Sequence, residues 1–246
     1  MSPPNTPIAL FVTCLVDQCL PEVGVAAVRL LRRAGFHVAF PKAQTCCGQP
    51  FYNSGFRSQA AALARHTIEL LEPYPAVVLP GGSCTAMIRL EYPHLLAEDA
   101  IWHDRAQAVA AKTFELSEFL SKQWPGLTAR AGARTDPAAT LTYHDSCHMC
   151  RLLGLRQQPR QLLHAAGYTW QEMTESDRCC GFGGLFSLRM PEVSNAMTAE
   201  KLRQADTAGA TCLVTADPGC LLQLRGLAAD GVRVEHLAIL LEEATR

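Results

Sequence analysis

An adjacent pair of cysteines followed by glycine lies at the centre of Thr45-Cys46-Cys47-Gly48-Gln49-Pro50, and the same turn returns as Cys179-Cys180-Gly181. A single cysteine stands 32 positions before each pair, at Cys14 and at Cys147. One offset of 133 residues therefore relates the first three cysteines of the two sets. The repeated spacing predicts two metal centres built on an internally duplicated unit.

Each set is closed by one further cysteine. Cys84 follows the first pair by 37 positions, and Cys220 follows the second pair by 40 positions. The predicted metal- and cofactor-binding residues are Cys14, Cys46, Cys47 and Cys84 in the first set, and Cys147, Cys179, Cys180 and Cys220 in the second.

Adjacent cysteines are poorly placed to form a disulfide with each other. Cα atoms joined by a trans peptide lie about 3.8 Å apart, whereas a disulfide needs about 4.4 to 6.8 Å. Two neighbouring thiolates that point at one polynuclear cluster explain the pairs better, because iron–sulfur clusters are held mainly by cysteine. A single structural zinc more often shows Cys-x-x-Cys pairs. Buried cysteines that act only as small apolar side chains remain an alternative, but they do not explain two matched sets.

Length, net charge and cysteine content limit the classes of protein to which this chain can belong. The 246 residues suit two lobes of roughly 120 residues each. The formal net charge of −1 offers no electrostatic footprint for nucleic acid or an anionic membrane surface. No stretch has the length and apolar character of a membrane span, and no secretory signal is visible. Eleven cysteines are too few for a disulfide scaffold of this length, so we expect free thiols in a reducing cytoplasm.

Hydrophobic periodicity predicts alternating strands and helices in both halves. The predicted fold is α/β, with two pseudo-symmetric lobes that each contain a mostly parallel sheet of four or five β-α units flanked by helices. The first lobe spans residues 1–123, a linker spans 124–137, and the second lobe spans 138–246. Strands are predicted at 8–13, 36–40, 76–79, 140–143, 168–171, 211–215 and 232–235, and helices at 21–34, 58–71, 95–111, 115–122, 160–166, 191–205 and 236–243.

The cysteines fall where predicted strands end and helices begin. In open α/β sheets this edge is where ligands bind. We also expect Gly48 and Gly181 to adopt positive φ, because glycine tolerates it, and to turn backbone N–H groups toward sulfur.

These motifs resemble the cysteine-rich CCG domain family over nearly the whole chain. The resemblance rests on the two Cys-Cys-Gly turns and on three flanking strings: Gly82-Ser83-Cys84, Tyr143-His144-Asp145-Ser146-Cys147-His148, and Cys179-Cys180-Gly181-Phe182-Gly183-Gly184. The family includes iron–sulfur subunits of lactate and glycolate oxidation and the cysteine-rich subunit of heterodisulfide reductase. It implies one 4Fe-4S-type centre per lobe and a role in oxidising L-lactate to pyruvate with separately encoded iron–sulfur partner subunits.

The chain departs from the family's fuller pattern, which closes each set with Cys-x-x-Cys. Gly81 and Asp217 stand at the first cysteine of those two pairs. Cluster type is therefore open at both sites, and zinc at one of them is an alternative. Further candidate ligands are Asp217, which can instead cap a helix, Cys19, and the two histidines that flank Cys147, His144 and His148.

Neither a dinucleotide-binding fingerprint nor a Ser/His/Asp arrangement stands out. Oxidation of a 2-hydroxy acid removes two electrons, usually through a flavin or a nicotinamide. We therefore expect an electron-transfer subunit that depends on partners rather than a complete dehydrogenase, and assign no catalytic residue. The alternatives are a thiol–disulfide reductase related to heterodisulfide reductase and a zinc-stabilised scaffold subunit.

Overall fold

A computed structural model describes residues 7–128, 140–229 and 232–246. The chain divides into two compact units, Met1–Phe119 and Leu120–Arg246. Most of the predicted linker, residues 129–137, lies outside the described residues. The predicted lobe boundaries therefore stay a prediction.

The first unit alternates strands with helices. Its elements in chain order are β1 (Ile8–Leu10), α1 (Cys14–Cys19), α2 (Pro21–Arg33), β2 (Val38–Ala39), α3 (Gln49–Asn53), α4 (Arg57–Leu71), β3 (Val77–Leu79), α5 (Gly82–Ala86), a π-helical turn (Met87–Glu91), α6 (Tyr92–Leu95), α7 (Ala100–Ala111) and β4 (Thr113–Glu115), with α8 (Leu116–Gln123) running on past the division.

A parallel sheet organises this unit, with strand order β2-β1-β3-β4. Strands β1 and β3 are central, and all their residues are buried. Strands buried on both faces are typical of parallel sheets covered by helices. The order places β1 and β3 side by side, so the segments that leave their carboxyl ends start at the same edge.

The second unit repeats this plan with fewer strands. Its elements are β5 (Leu141–Tyr143), a π-helical turn (His148–Leu152), α9 (Gln157–Ala165), α10 (Leu185–Arg189), α11 (Pro191–Thr207), β6 (Cys212–Thr215), α12 (Pro218–Leu227), β7 (Arg233–His236) and α13 (Leu237–Thr245). The three strands are parallel in the order β5-β6-β7. The predicted α/β class with two parallel sheets flanked by helices is confirmed.

Helix α2 shows how local sequence sets an element. Pro21 opens the helix, Glu22 lies in the first turn and Arg33 in the last, as the helix dipole favours. Gly35 adopts a φ of 90° just past the end, where only glycine does so without strain. Its buried face includes Leu30 and Leu31.

Several predicted elements differ in the structure. The strand at 8–13 ends at Leu10, and the strand at 36–40 is reduced to Val38–Ala39. The strand at 168–171 is reduced to one parallel bridge between Leu141 and Trp170, because the polar residues that follow are exposed and have no apolar face to bury. The described part of the second sheet consequently has three strands, fewer than the four or five expected. The helix at 95–111 is interrupted, because Asp99 caps a new helix by accepting a hydrogen bond from the Trp102 N–H at 3.3 Å. The helix at 115–122 starts one residue late, since Glu115 ends β4.

Across the three described segments, every helix is too short or too polar to cross a lipid bilayer.

Candidate metal centres

The first set of cysteines gathers at the carboxyl edge of the first sheet. Cys14 opens α1 after β1, Cys46 and Cys47 lie in the loop after β2, and Cys84 lies in α5 after β3. The side chain of Thr13 fixes the first of these turns by accepting a hydrogen bond from the Val16 N–H at 3.3 Å. Three parallel strands thus deliver all four thiols to one place.

Sulfur contacts connect the whole first set. The Sγ atoms of Cys14 and Cys46 lie 3.6 Å apart, and those of Cys47 and Cys84 lie 3.2 Å apart. The thiols of Cys46 and Cys47 also interact with each other. Cys47 and Cys84 are buried, whereas Cys14 and Cys46 are half-buried. The set therefore has a protein-facing side and a side that reaches solvent.

A cavity of about 330 Å³ opens on the half-buried side. Cys14 and Cys46 line it together with Phe40, Lys42 and Gln44. The Gln44 side chain accepts a hydrogen bond from the Val12 N–H at 2.8 Å, which ties the cysteine loop to the end of β1.

The second set has the same design. Cys147 follows β5, Cys179 and Cys180 lie in the loop before α10, and Cys220 lies in the first turn of α12 after β6. The Sγ atoms of Cys180 and Cys220 lie 3.0 Å apart, and Cys179 interacts with both Cys147 and Cys180. Burial repeats as well, because Cys180 and Cys220 are buried and Cys147 and Cys179 are half-buried.

Proton sharing within each set favours one thiolate. Hydrogen bonds from the thiols of Cys14 and Cys47 lower the pKa of Cys46 to about 3. Hydrogen bonds from Cys147 and Cys180 lower the pKa of Cys179 to about 2. The pKa values of Cys14 and Cys147 are correspondingly raised, chiefly because each donates its proton to that neighbour and is partly desolvated. Further thiolates at these distances would repel one another unless a cation lay among them.

The two glycines act as expected. Gly48 has a φ of 84° and Gly181 a φ of 92°. The Gly181 N–H donates a hydrogen bond to the Cys179 Sγ at 3.4 Å, and the Gly48 backbone makes the matching interaction with Cys46, which helps to lower its pKa.

Buried hydroxyl groups hold the backbone of both cysteine pairs, a feature that sequence reasoning missed. The Tyr92 hydroxyl donates to the Cys47 carbonyl at 2.8 Å, and the Thr198 hydroxyl donates to the Cys180 carbonyl at 2.8 Å. Both side chains are fully buried. No local motif marks them, because each comes from a helix distant in sequence.

Lys201 was also missed. Its side chain is fully buried, and its amine donates hydrogen bonds to the backbone carbonyls of Glu175 and, at 3.2 Å, Ser176. These carbonyls lie in the loop that leads to Cys179, so the amine anchors that loop. Burial lowers the pKa of Lys201 to about 8. No local sequence signal marks it, because the buried positions of this helix are mostly polar.

The flanking histidines lie differently. His144 is fully buried, and neither of its ring nitrogens has a hydrogen-bond partner among the described residues. Its ring, the Cys180 Sγ and the Cys220 Sγ each offer a ligand atom, and these atoms lie within 4.8 Å of one another. Desolvation lowers the pKa of His144 to about 4. His148 is half-buried, with its Nδ1 atom 3.6 Å from the Cys147 Sγ.

Asp217 and Cys19 are the other two candidate ligands. The Asp217 carboxylate caps α12 by accepting a hydrogen bond from the Gly219 N–H at 3.1 Å. Cys19 is exposed at the end of α1.

The donor sets fit a metal centre. Four thiols linked by successive contacts suit an iron–sulfur cluster, and the same donors suit zinc. All eleven cysteines are free thiols, so none of the eight is committed to a disulfide. The orphaned nitrogens of the buried His144 point to a further donor in the second set.

Comparison with known proteins identifies the family. A family model described as a cysteine-rich domain (CCG) matches the chain twice, over residues 8–89 and 141–225. Lactate utilization protein A of Exiguobacterium sp. (strain AT1b) is 44% identical over 245 residues, covering 97% of this chain and 98% of that protein. The protein of the same name from Bacillus subtilis (strain 168) is 44% identical over 235 residues, covering 94% and 97%.

A solved structure supports the fold alone. The crystal structure of a hypothetical protein from Helicobacter pylori aligns with a TM-score of 0.70 at 12% identity, covering 98% of this chain and 49% of that one. The double match of the family model and the two full-length relatives show that the chain belongs to the CCG cysteine-rich domain family.

Proposed function

We propose that this chain is an electron-transfer subunit that holds one iron–sulfur centre in each unit and takes part in the oxidation of L-lactate to pyruvate. Its ligands are the four cysteines of each set. It works in the cytoplasm with separately encoded iron–sulfur proteins, which carry the substrate chemistry. The proposal makes it a part of an oxidoreductase rather than a complete enzyme.

The observation that carries the proposal is the duplicated gathering of thiols. Two sets with matching spacing, burial and sulfur contacts lie at the carboxyl ends of parallel strands. A lone structural zinc explains one such set, but adjacent cysteine pairs suit polynuclear clusters better. The free state of all eleven cysteines also suits a reducing compartment.

The role of each residue follows from its position. A bound cluster would accept and release single electrons. The buried thiols of each set hold its protein side, and the half-buried thiols lie where electrons can enter from a partner. Tyr92 and Thr198 hold the backbone of the cysteine pairs through their carbonyls, so the thiols stay in place when the charge of the centre changes.

Support for lactate as the ultimate electron source comes from the relatives. Both are named lactate utilization protein A and match this chain nearly end to end. Such names suit a multi-subunit system, and the sequence offers no convincing nicotinamide or flavin motif of its own. The substrate step is therefore assigned to the partners.

The test is an anaerobic reduction experiment. L-lactate is added to the reconstituted chain alone and then to a mixture with its partner iron–sulfur subunits, and bleaching of the visible absorbance is followed. The proposal predicts bleaching only in the mixture. Bleaching by lactate with this chain alone would show that it carries the substrate site itself.

The cavity beside Cys14 and Cys46 favours a second candidate, a thiol–disulfide reductase. A disulfide in this cavity would lie against two half-buried thiols and near the Lys42 side chain. The chain is mixed anaerobically with a small organic disulfide and an excess of dithionite, which supplies two electrons for each disulfide reduced, and thiol release above that of a mixture without the chain is measured. Catalytic release that Cys46→Ser abolishes would favour the reductase over the electron-transfer subunit.

The group formed by His144, Cys180 and Cys220 favours a third candidate, a zinc site that stabilises a scaffold subunit. Zinc accepts both imidazole and thiolate ligands. Metal analysis decides between the candidates, because a scaffold would contain zinc without acid-labile sulfide.

A further inference from the structure

The two units differ at one matched position beside the metal centres. The Phe11 N–H donates to the Val78 carbonyl at 3.0 Å, and the His144 N–H donates to the Val214 carbonyl at 2.8 Å. Each residue thus comes directly after the first strand of its sheet and bonds to the neighbouring strand in the same way. Both side chains are fully buried. The duplication therefore places an apolar ring in one unit and an imidazole in the other.

The surroundings of these two rings match as well. Phe11 belongs to a buried apolar cluster that includes Cys47 and Cys84. His144 lies against the equivalent thiols, with ligand atoms of His144, Cys180 and Cys220 all within 4.8 Å of one another. An apolar ring at this place shields two sulfurs, whereas an imidazole at the same place brings a nitrogen donor to them.

A buried imidazole without a hydrogen-bond partner destabilises the folded chain. Neither nitrogen of His144 has a hydrogen-bond partner among the residues that the structure describes, although the ring is fully buried. Buried polar atoms are nearly always bonded, because an unpaired one loses its hydration without compensation. A ligand bound at the thiols would give one nitrogen a partner.

We propose that His144 is a nitrogen ligand of the metal centre in the second unit, so that this centre has mixed thiolate and imidazole coordination while the first has thiolates only. The inference rests on the proposed metal centre. The Asp217 carboxylate instead caps α12. The imidazole is then added to the four thiolates of the second set.

His148 is the matched control. It also lies beside a cysteine of the second set, with its Nδ1 atom 3.6 Å from the Cys147 Sγ. Unlike His144 it is half-buried, so water can satisfy its ring. The proposal assigns coordination to His144 and none to His148.

The test detects histidine nitrogen bound to the metal directly. The full chain is produced with ¹⁵N-labelled histidine in a Cys47→Ser background, which leaves the second centre as the main metal site, and its metal and sulfide contents are measured first. Pulsed electron paramagnetic resonance of the paramagnetic state then reports histidine coupling. If the bound metal is diamagnetic at every potential, X-ray absorption at its K-edge counts the nitrogen ligands instead.

The expected result is one histidine coupling that His148→Phe leaves intact and His144→Phe removes. His144→Phe places the residue of the first unit at the matched position. A centre with metal but no histidine coupling in the unsubstituted His144 protein would overturn the assignment while leaving the metal centre in place. That measurement needs no substitution at His144, so misfolding of His144→Phe cannot obscure it. A chain that binds no metal would instead overturn the proposed function.

Discussion

Replacing the glycine of each Cys-Cys-Gly turn by alanine should have unequal effects in the two units. Both glycines have positive φ, 84° at Gly48 and 92° at Gly181, so Gly48→Ala and Gly181→Ala carry the same conformational penalty, of about 1 to 2 kcal/mol. The space around them differs. A Cβ atom at Gly48 would lie 3.3 Å from the nearest side-chain atom, the Cβ of Leu63, and 3.5 Å from the Ala60 carbonyl oxygen.

The same atom at Gly181 would lie only 2.4 Å from the Ser194 carbonyl oxygen and 2.9 Å from the Thr198 hydroxyl. The first of these is backbone within α11, so the loop or the helix must move. Overpacking of this kind costs about 1 to 3 kcal/mol. The movement also threatens the hydrogen bond that the Ser194 hydroxyl donates to the Gly181 carbonyl at 2.8 Å, which is worth about 1 kcal/mol. We therefore expect a loss of roughly 1 to 2 kcal/mol for Gly48→Ala and roughly 3 to 6 kcal/mol for Gly181→Ala.

The assay is urea denaturation of the anaerobically purified full chain, followed by far-ultraviolet circular dichroism, with hydrogen exchange of α4 and α11 to locate the damage. Gly181→Ala should accelerate exchange in α11 and lower the metal content of the second centre. Equal destabilisation by the two substitutions, or a larger effect of Gly48→Ala, would refute the packing argument.

Three further substitutions test buried polar groups. Burial raises the pKa of Glu115 to about 7 from an ordinary value of 4.5. Between these two pH values the folded chain holds a proton that the unfolded chain has lost, so the free energy of unfolding falls by up to about 3 kcal/mol as the pH rises from 4.5 to 7. Glu115→Gln should flatten this part of a pH–stability curve, and an unchanged slope would contradict the raised pKa of Glu115. Tyr92→Phe removes the donor to the Cys47 carbonyl and should lower the free energy of unfolding in urea by about 1 kcal/mol. It should also weaken metal retention in the first centre and leave the second centre unchanged. Lys201→Met leaves the carbonyls of the loop before Cys179 without their buried donor and should cost about 1 to 3 kcal/mol; stability equal to that of the parent chain would show that the amine does not anchor the loop.

Much of the fold could be predicted because signals in the local sequence mark where several strands and helices begin and end. The strand at 140–143 and the helices at 21–34 and 191–205 lie within two residues of their observed bounds. A proline opens each of the two helices, and a glycine with positive φ follows its end. The helix at 95–111 was predicted too long, because apolar periodicity continues across Asp99 while the cap that divides it depends on a single side chain. The strand prediction at 168–171 was wrong because the polar residues that follow are exposed, which leaves one bridge between Leu141 and Trp170.

Part of the candidate site could likewise be predicted from the sequence and part could not. Spacing alone grouped the eight cysteines, because parallel strands bring their carboxyl ends to one edge. The contribution of Tyr92, Thr198 and Lys201 could not be predicted, since each reaches a cysteine loop from a helix far along the chain. His144 was recognised as a neighbour of Cys147, but its closeness to Cys180 and Cys220 follows only from the fold.

Metal and acid-labile sulfide analysis of the anaerobically purified chain, together with Cys47→Ser and Cys180→Ser, tests the two-centre proposal most directly. Each unit has a buried apolar core of its own, so circular dichroism should change little in either variant. The proposal predicts iron and sulfide in the parent chain and a loss of about one centre, roughly half of the iron, in each variant. Zinc without sulfide, or iron that neither substitution reduces, would contradict it.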